Sequence, residues 1–245
     1  MDGAMSTAEL EPGHYTFPEA ARFGKKLPKE KIYQYATPTN AIKQLFIKRL
    51  DRIIWQFKLA PETINIPATQ SVPEIQVFDL YLKPDMQASN AQGLAIDEAV
   101  LRSIDKAIAF HIYYRIRWNN KVQYVMAYKR PSEAGKAQWV VGDYFYSEHL
   151  QETEDSAANK QHLPVMLNLA ALYEYLLKTL ITEPARPNET LSELIERLSL
   201  IRNKQRELNK LETHLHREKQ FNRKIDINQQ VNRLKTELAD LMASQ

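Results

Sequence analysis

With 245 residues, 44% of them hydrophobic and 26% charged, the chain can build one medium domain plus an extension around a real core. Its formal net charge of +3 does not by itself point to nucleic acid, because dedicated binders concentrate basic charge on one face. The absence of cysteine excludes disulfides, thiolate chemistry and Cys-ligated zinc, and makes a reducing cytoplasm the expected compartment. No apolar run approaches the ~18 residues of a membrane span, and Met1–Leu10 lacks the basic-then-apolar order of a signal peptide.

Met1–Pro38 reads as an extended N-terminal arm, rich in proline and glycine. Phe17, Phe23, Leu27, Ile32, Tyr33 and Tyr35 are too many large apolar groups for a free tail, so part of it is expected to dock on the body. Lys25, Lys26, Lys29 and Lys31 form a small basic cluster, read as a solvated loop, with a phosphate or partner contact as the sharper alternative. Thr39 or Asn40 caps a helix over about Ala41–Ile53, with Ile42, Leu45, Phe46, Leu50 and Ile53 at helical spacing. A strand Ile54–Leu59, a Pro-bounded loop Ala60–Pro73 and a strand Glu74–Lys83 follow. In the second strand Ile75, Val77, Asp79 and Tyr81 alternate with Gln76, Phe78, Leu80 and Leu82. Neither face is fully polar, which predicts a sheet covered on both sides.

Pro84–Gly93 is a loop, and Asp97 caps a helix Glu98–Lys106 with Val100, Leu101, Ile104 and Ala107 inward. Three strands come next, Ile108–Trp118, Lys121–Lys129 and Gln138–Ser147, joined by a tight Asn119-Asn120 turn and a looser one over Pro131–Lys136. Consecutive strands are expected to pair as antiparallel meanders. Gln151–His162 is an acidic surface loop, and Leu163–Ile181 is an apolar helix that covers a sheet face. The fold class is therefore α+β: a mixed or antiparallel sheet of about five strands covered by helices. Residues 1–38 form the arm, 39–183 the core domain and 188–245 a helical extension, with Pro184 and Pro187 at the boundary.

The extension carries Leu191, Leu194, Leu198, Ile201, Leu208, Leu211 and Leu215, then Ile225, Val231, Leu234, Leu238 and Leu241, at coiled-coil-like spacing with Gln205 on the seam. The Leu208–Leu211 step breaks the heptad, and Glu218–Asn222 is polar except for Phe221. A hairpin broken near Phe221–Asn228, with Asp226 or Asn228 as cap, and one continuous rod of roughly 80 Å both fit. Lys and Arg nearly balance Asp and Glu here, which favours a protein partner or self-association over DNA.

Three constellations bear on chemistry. Restriction-type nucleases place an acid on one strand and an acid and a lysine on the next, holding a divalent cation that activates water. Glu62, Glu74, Asp79 and Lys83 suit that pattern loosely, with Glu74, Asp79 and Lys83 as the catalytic set. The tight acid-x-Lys pair is missing, and Glu74 and Asp79 fall on opposite faces of a regular strand. The plainer reading makes Asp79 and Lys83 edge or loop-facing charges. The histidines are scattered, His214 and His216 do not share a helix face, and His111 reads as a core residue, so no metal site is expected. No G-x-S-x-G and no Gly-rich phosphate loop is present, and no cofactor is expected. Finally, aromatic and basic residues interleave over Tyr113–Tyr146; Tyr113, Arg115 and Arg117 share a face, giving it a basic stripe. With Lys58, Lys129 and Arg130, this face could contact nucleic acid.

PKEKIYQYA (Pro28–Ala36), WQFKLAPETINI (Trp55–Ile66), EIQVFDLYLK (Glu74–Lys83), AYK (Ala127–Lys129) and EKQFNRKIDIN (Glu218–Asn228) resemble the domain-of-unknown-function 4391 family. The resemblance runs from about Tyr15 to Leu241, and its most specific segment, KLxPxTxN, is matched by Lys58, Leu59, Pro61, Thr63 and Asn65. It implies no catalytic residues. It implies a bacterial setting beside DNA methyltransferases and helicases, in restriction-like or antiphage clusters.

The leading expectation is a non-enzymatic accessory or scaffold subunit of such an assembly, docking partners or a second copy through Leu198, Ile201, Leu208, Leu215, Val231, Leu234 and Leu238. A divalent-metal nuclease and a nucleic-acid-binding adaptor are the alternatives.

Overall fold

The computed structural model describes residues 15–84, 96–132, 139–152 and 161–243. The loops expected over Pro84–Gly93, Pro131–Lys136 and Gln151–His162 lie largely outside them. Two compact units divide the chain, one ending at Thr182 and one beginning at Glu183.

In the first unit the described elements are β1 (Tyr15–Thr16), a 3-10 turn (Glu19–Ala21), β2 (Arg22–Lys26), α1 (Lys29–Ala36), α2 (Asn40–Arg49), β3 (Leu50–Leu59), α3 (Pro61–Ile64), β4 (Ile75–Leu82), α4 (Glu98–Ala107), β5 (His111–Trp118), β6 (Lys121–Pro131), β7 (Trp139–Tyr146), β8 (Leu150–Gln151), β9 (Gln161–His162) and α5 (Leu169–Lys178). The main sheet runs β2-β3-β4-β5-β6-β7, with β8 added beside β6; β1 and β9 form a small separate pair. This is an α+β fold with a mostly antiparallel open sheet.

The expected meander holds for β5-β6-β7 and fails at β4-β5, which pair in parallel from Ile75 beside His111 to Tyr81 beside Arg117. Parallel neighbours need a crossover, and α4 lies between these two strands in the chain. Asn119 takes φ 51°, the left-handed conformation that the tight β5-β6 turn demands.

The N-terminal arm is built into the body. Residues 22–26 form the edge strand of the main sheet, where the Phe23 ring lies 4.1 Å from Trp55, and α1 sends Ile32 and Ala36 into the core. Lys29 of the basic cluster donates from Nζ to the Phe46 and Leu50 carbonyls (3.1 and 2.6 Å), satisfying groups left open at the end of α2.

Thr39 does cap α2, but the helix stops at Arg49 rather than Ile53. Leu50, Asp51 and Arg52 oppose only Leu82 and Tyr81, a bulge. The extra residue brings Leu50 and Ile53 into the same core, so a bulged strand imitates the i,i+3 spacing of a helix. The expected helix Leu163–Ile181 also contracts, to Leu169–Lys178. Its N-cap is Asn168, whose Oδ1 accepts from the Ala171 N–H at 2.9 Å, and this leaves Val165 and Leu167 exposed ahead of it.

One face of the sheet packs under α1, α2 and α4 through Phe46, Phe78, Leu80, Leu101, Ile104 and Tyr114. Each such side chain contributes about 1.5–3 kcal/mol through burial. On the other face Tyr173 of α5 reaches β6: its hydroxyl donates to the Ala127 carbonyl (2.8 Å) and accepts from the Lys129 N–H (2.9 Å), at the point where β6 slips register against β7. The sheet is thus covered on both faces, as its apolar alternation requires.

The second unit is a hairpin of α6 (Leu191–Arg217) and α7 (Phe221–Met242). A capping box between Thr190 and Glu193 opens α6. The break falls at Glu218–Gln220, where the Glu218 carboxylate accepts from the N–H groups of Lys219 and Gln220 (2.8 Å each). Asp226 and Asn228 lie inside α7 and cap nothing. Ion pairs Lys204–Glu237 (2.5 Å) and Glu212–Lys235 (2.8 Å) run antiparallel across the pair. Leu208 packs with Ile227, Val231, Leu234 and Leu238, flanked by Ile201, Leu211 and Leu215. The seam therefore passes through Ile201, Lys204, Leu208, Leu211 and Leu215, so the Leu208–Leu211 step keeps the heptad. Gln205 is exposed, and Ile227 takes the seam place expected of Ile225.

Candidate functional site

The singled-out charges of the first unit are drawn into ion pairs by strand register. Asp79, 2% exposed at the centre of β4, sits beside Arg115 across the parallel β4-β5 pair. Arg115 donates from Nε to Asp79 Oδ1 (2.5 Å) and from Nη2 to Oδ2 (3.0 Å). Arg117 donates from Nε to Asp79 Oδ2 (3.1 Å) and pairs at its other end with Glu152. Burial works against the Arg117 charge, but Asp79 and Glu152 outweigh it and hold the guanidinium's pKa above its usual value. Arg115 also lies beside the stacked rings of Phe17 and Phe57, whose centroids are 5.6 and 5.5 Å from its guanidinium carbon and 4.8 Å from each other. Two carboxylates and two guanidiniums thus close on one another along the expected basic stripe. Asp79 is a central, buried residue and not an edge charge.

Glu74 belongs to a different group. Its carboxylate accepts from Gln76 Nε2 (2.5 Å) and lies 3.5 Å from Lys58 Nζ, which also pairs with Glu62 (2.7 Å). These two acids, the Glu62 hydrogen bond first, hold the Lys58 pKa above its ordinary value. Lys83 is half-buried, with its backbone N–H on the Arg49 carbonyl. The structure therefore divides Glu74 and Asp79 between separate ion-pair groups. Among the described residues no group of three or more His, Asp or Glu is placed to hold a metal ion.

Lys129 turns to the opposite, helix-covered face. Its ammonium meets Asp105 Oδ1 of α4 at 2.7 Å and the Phe110 and Ile108 carbonyls at 2.6 and 3.2 Å, with both charged side chains 1% exposed. Tyr144 donates to the other Asp105 oxygen, and burial together with that carboxylate pushes the phenol far above its ordinary pKa. Arg130, the next residue, is exposed near the end of β6. His111 lies between the rings of Trp139 and Tyr173 (5.1 and 4.3 Å), where burial, with the nearby Lys129 cation adding, lowers its pKa to about 3 and keeps it neutral.

Glu152, expected only as one of the acids of the surface loop Gln151–His162, pairs with Arg117, and Asp105 is a partner that the sequence reading does not single out. Asp105 left a signal: it stands four residues after Leu101, on the inward face of an amphipathic helix, where a charge requires a partner.

The KLxPxTxN segment is a structural corner. Pro61 opens α3, and Thr63 Oγ1 donates to the Lys58 carbonyl (2.6 Å) and accepts from the Ala60 N–H (2.9 Å). Asn65 ends the turn at φ 53°. The corner also presents Glu62 to Lys58.

In the hairpin, four of the seven expected docking residues (Leu208, Val231, Leu234 and Leu238) are spent on the intramolecular seam, with Ile201 and Leu215 at its margin; Leu198 is also buried. What remains outward is the tip. Phe221 and Ile225, 76% and 42% exposed, stand one turn apart on α7 and line an open cavity of about 420 Å³ with Leu215, His216, Lys224 and Asn228.

A family model described as a domain of unknown function (DUF4391) matches residues 16–238. The chain belongs to the DUF4391 family. The match enters both compact units, so in DUF4391 the hairpin is part of the family's own pattern. No curated protein and no solved structure matches this DUF4391 chain. No described helix is long and apolar enough to cross a membrane.

Proposed function

We propose that this DUF4391 chain is a non-enzymatic accessory or scaffold subunit that docks a partner through its C-terminal hairpin. The observation that carries this reading is the exposed Phe221–Ile225 face at the hairpin tip: the seam spends its leucines internally, and large apolar groups still face water. The mutual pairing of Asp79, Arg115, Arg117 and Glu152, and of Lys129 with Asp105, supports a structural role for the polar residues of the first unit. In the bacterial setting that the family resemblance implies, and the cytoplasm expected of a chain without cysteine, the partner is a DNA methyltransferase or helicase of a restriction-like or antiphage cluster. The seam residues Leu208, Val231, Leu234 and Leu238 then shape the dock rather than touch the partner.

Affinity capture from the native host, with the full chain and with a chain ending at Pro184 shown by circular dichroism to remain folded, tests this. Retention of a methyltransferase or helicase by the full chain alone is the expected result. Equal capture by both chains, or Mg²⁺-dependent DNA cleavage by the purified chain, would overturn it.

A further inference from the structure

We infer that the hairpin tip is a docking site for an acidic amphipathic helix of a partner protein. The inference rests on the reading of the hairpin as a dock and specifies its chemistry. The apolar part follows from helix geometry. In α7 the seam takes Ile227, Val231, Leu234 and Leu238, a regular alternation of four and three residues. Phe221 and Ile225 fall outside that register but share a face with each other at i,i+4, so the tip carries a second apolar face that the hairpin cannot bury. With Leu215 from the end of α6 they floor the cavity. A groove floored by aliphatic and aromatic groups suits the i, i+3/i+4 side chains of a helix laid into it.

The polar part is the charge. Lys224 lines the cavity beside this floor with His216, and Arg217, Lys219 and Arg223 lie near it along the chain; these four cations are exposed, and none is in an ion pair within the described residues. Two acids share this stretch: Glu218 is turned onto the backbone N–H groups of Lys219 and Gln220 and keeps only 12% of its side chain exposed, and Asp226 is exposed on α7, so the four cations still outnumber them. The tip is thus apolar at its centre and cationic at its rim, although α6 and α7 as a whole carry nearly balanced charge. That complement is an apolar stripe flanked by Asp and Glu. A second copy fits worse, because two tips would bring their cationic rims together. Nucleic acid offers the anions but no aliphatic stripe for Leu215 and Ile225.

The test is fluorescence anisotropy of the full chain with labelled synthetic peptides of about five helical turns. One peptide carries Leu and Phe on one face and Glu elsewhere, a second has Lys in place of Glu, and a third has the acidic composition scrambled. The acidic helix should bind saturably and at least about tenfold more tightly than either control, and should weaken between about 50 mM and about 0.5 M salt. The double variant F221S/I225S should lose about tenfold or more of that affinity, and R223E/K224E should invert the charge preference. Both variants alter exposed groups, and circular dichroism should show unchanged helix content. No binding, equal binding of the acidic and basic helices, binding indifferent to F221S/I225S, equal affinity for a single-stranded oligonucleotide, or Phe221-dependent self-association in sedimentation without peptide affinity would each overturn the inference. If acid preference fails while hairpin-dependent partner capture persists, the dock stands and its chemistry is wrong. If capture does not depend on the hairpin, both fail.

Discussion

Replacing Lys129 by Met should destabilise the first unit severely. The ammonium that disappears is 1% exposed, is ion-paired with Asp105 Oδ1 at 2.7 Å and donates to the Phe110 and Ile108 carbonyls at 2.6 and 3.2 Å. Met fills nearly the same volume, so little of the loss comes from packing. The cost is electrostatic. Asp105 is left as a buried charge supported only by tyrosine hydroxyl, and breaking a buried pair from one side costs about 3–5 kcal/mol. That is a large part of the ~5–15 kcal/mol that stabilises a typical domain. The double variant K129M/D105N removes both charges and keeps an amide oxygen for the Tyr144 hydroxyl, so it should recover much of the loss. All three tryptophans, Trp55, Trp118 and Trp139, lie in the first unit. Urea unfolding followed by tryptophan fluorescence therefore reports on this unit without interference from the hairpin. A K129M loss below about 1 kcal/mol, the scale of a surface pair, would refute the reasoning, as would a double variant no more stable than K129M.

Three further outcomes are expected. Asp79→Asn removes the carboxylate shared by Arg115 and Arg117 and should cost about 3 kcal/mol in the same assay; unchanged stability would show that the network is not what holds this face. His111 has a folded pKa of about 3 against an ordinary 6.5. The unfolded chain therefore takes up a proton below about pH 6.5 that the folded chain refuses, and stability falls as pH drops from there toward 3, by at most about 1.4 kcal/mol per unit. The urea midpoint of His111→Gln should vary less between pH 7 and pH 5 than that of the wild type, and parallel curves would contradict this. Leu234→Ala opens the hairpin seam and should cost about 2–4 kcal/mol there. It should appear as lost helical signal in circular dichroism at a temperature where tryptophan fluorescence is unchanged; simultaneous loss of both signals would count against independent units.

Local pattern was informative where one element faces one environment. The alternation of β4, β5 and β6 and the heptad of α7 are statements about which side of an element meets water, and a chain carries those in its own order of residues. Thr39 as a cap and Asn119 in a turn were legible for the same reason: capping and positive φ are satisfied within a few residues. The reading failed where two backbone geometries share a spacing. Leu50 and Ile53 fit a helix or a bulged strand equally well, and Ile225 and Ile227 both fit a leucine series until a partner helix selects one.

The amino-acid sequence by itself determined the α+β class, the two-sided cover of the sheet and the separation of a helical extension after Pro184, because amphipathic period, proline placement and length are local properties. Only the tertiary structure decided that β4 and β5 run parallel, that Asp79 meets Arg115 and Arg117, that Lys129 meets Asp105, and that the hairpin tip keeps Phe221 and Ile225 in water. The first three are pairings between residues distant in the chain, and the fourth follows from which residues the partner helix takes into the seam; all depend on register and burial, which no local spacing encodes.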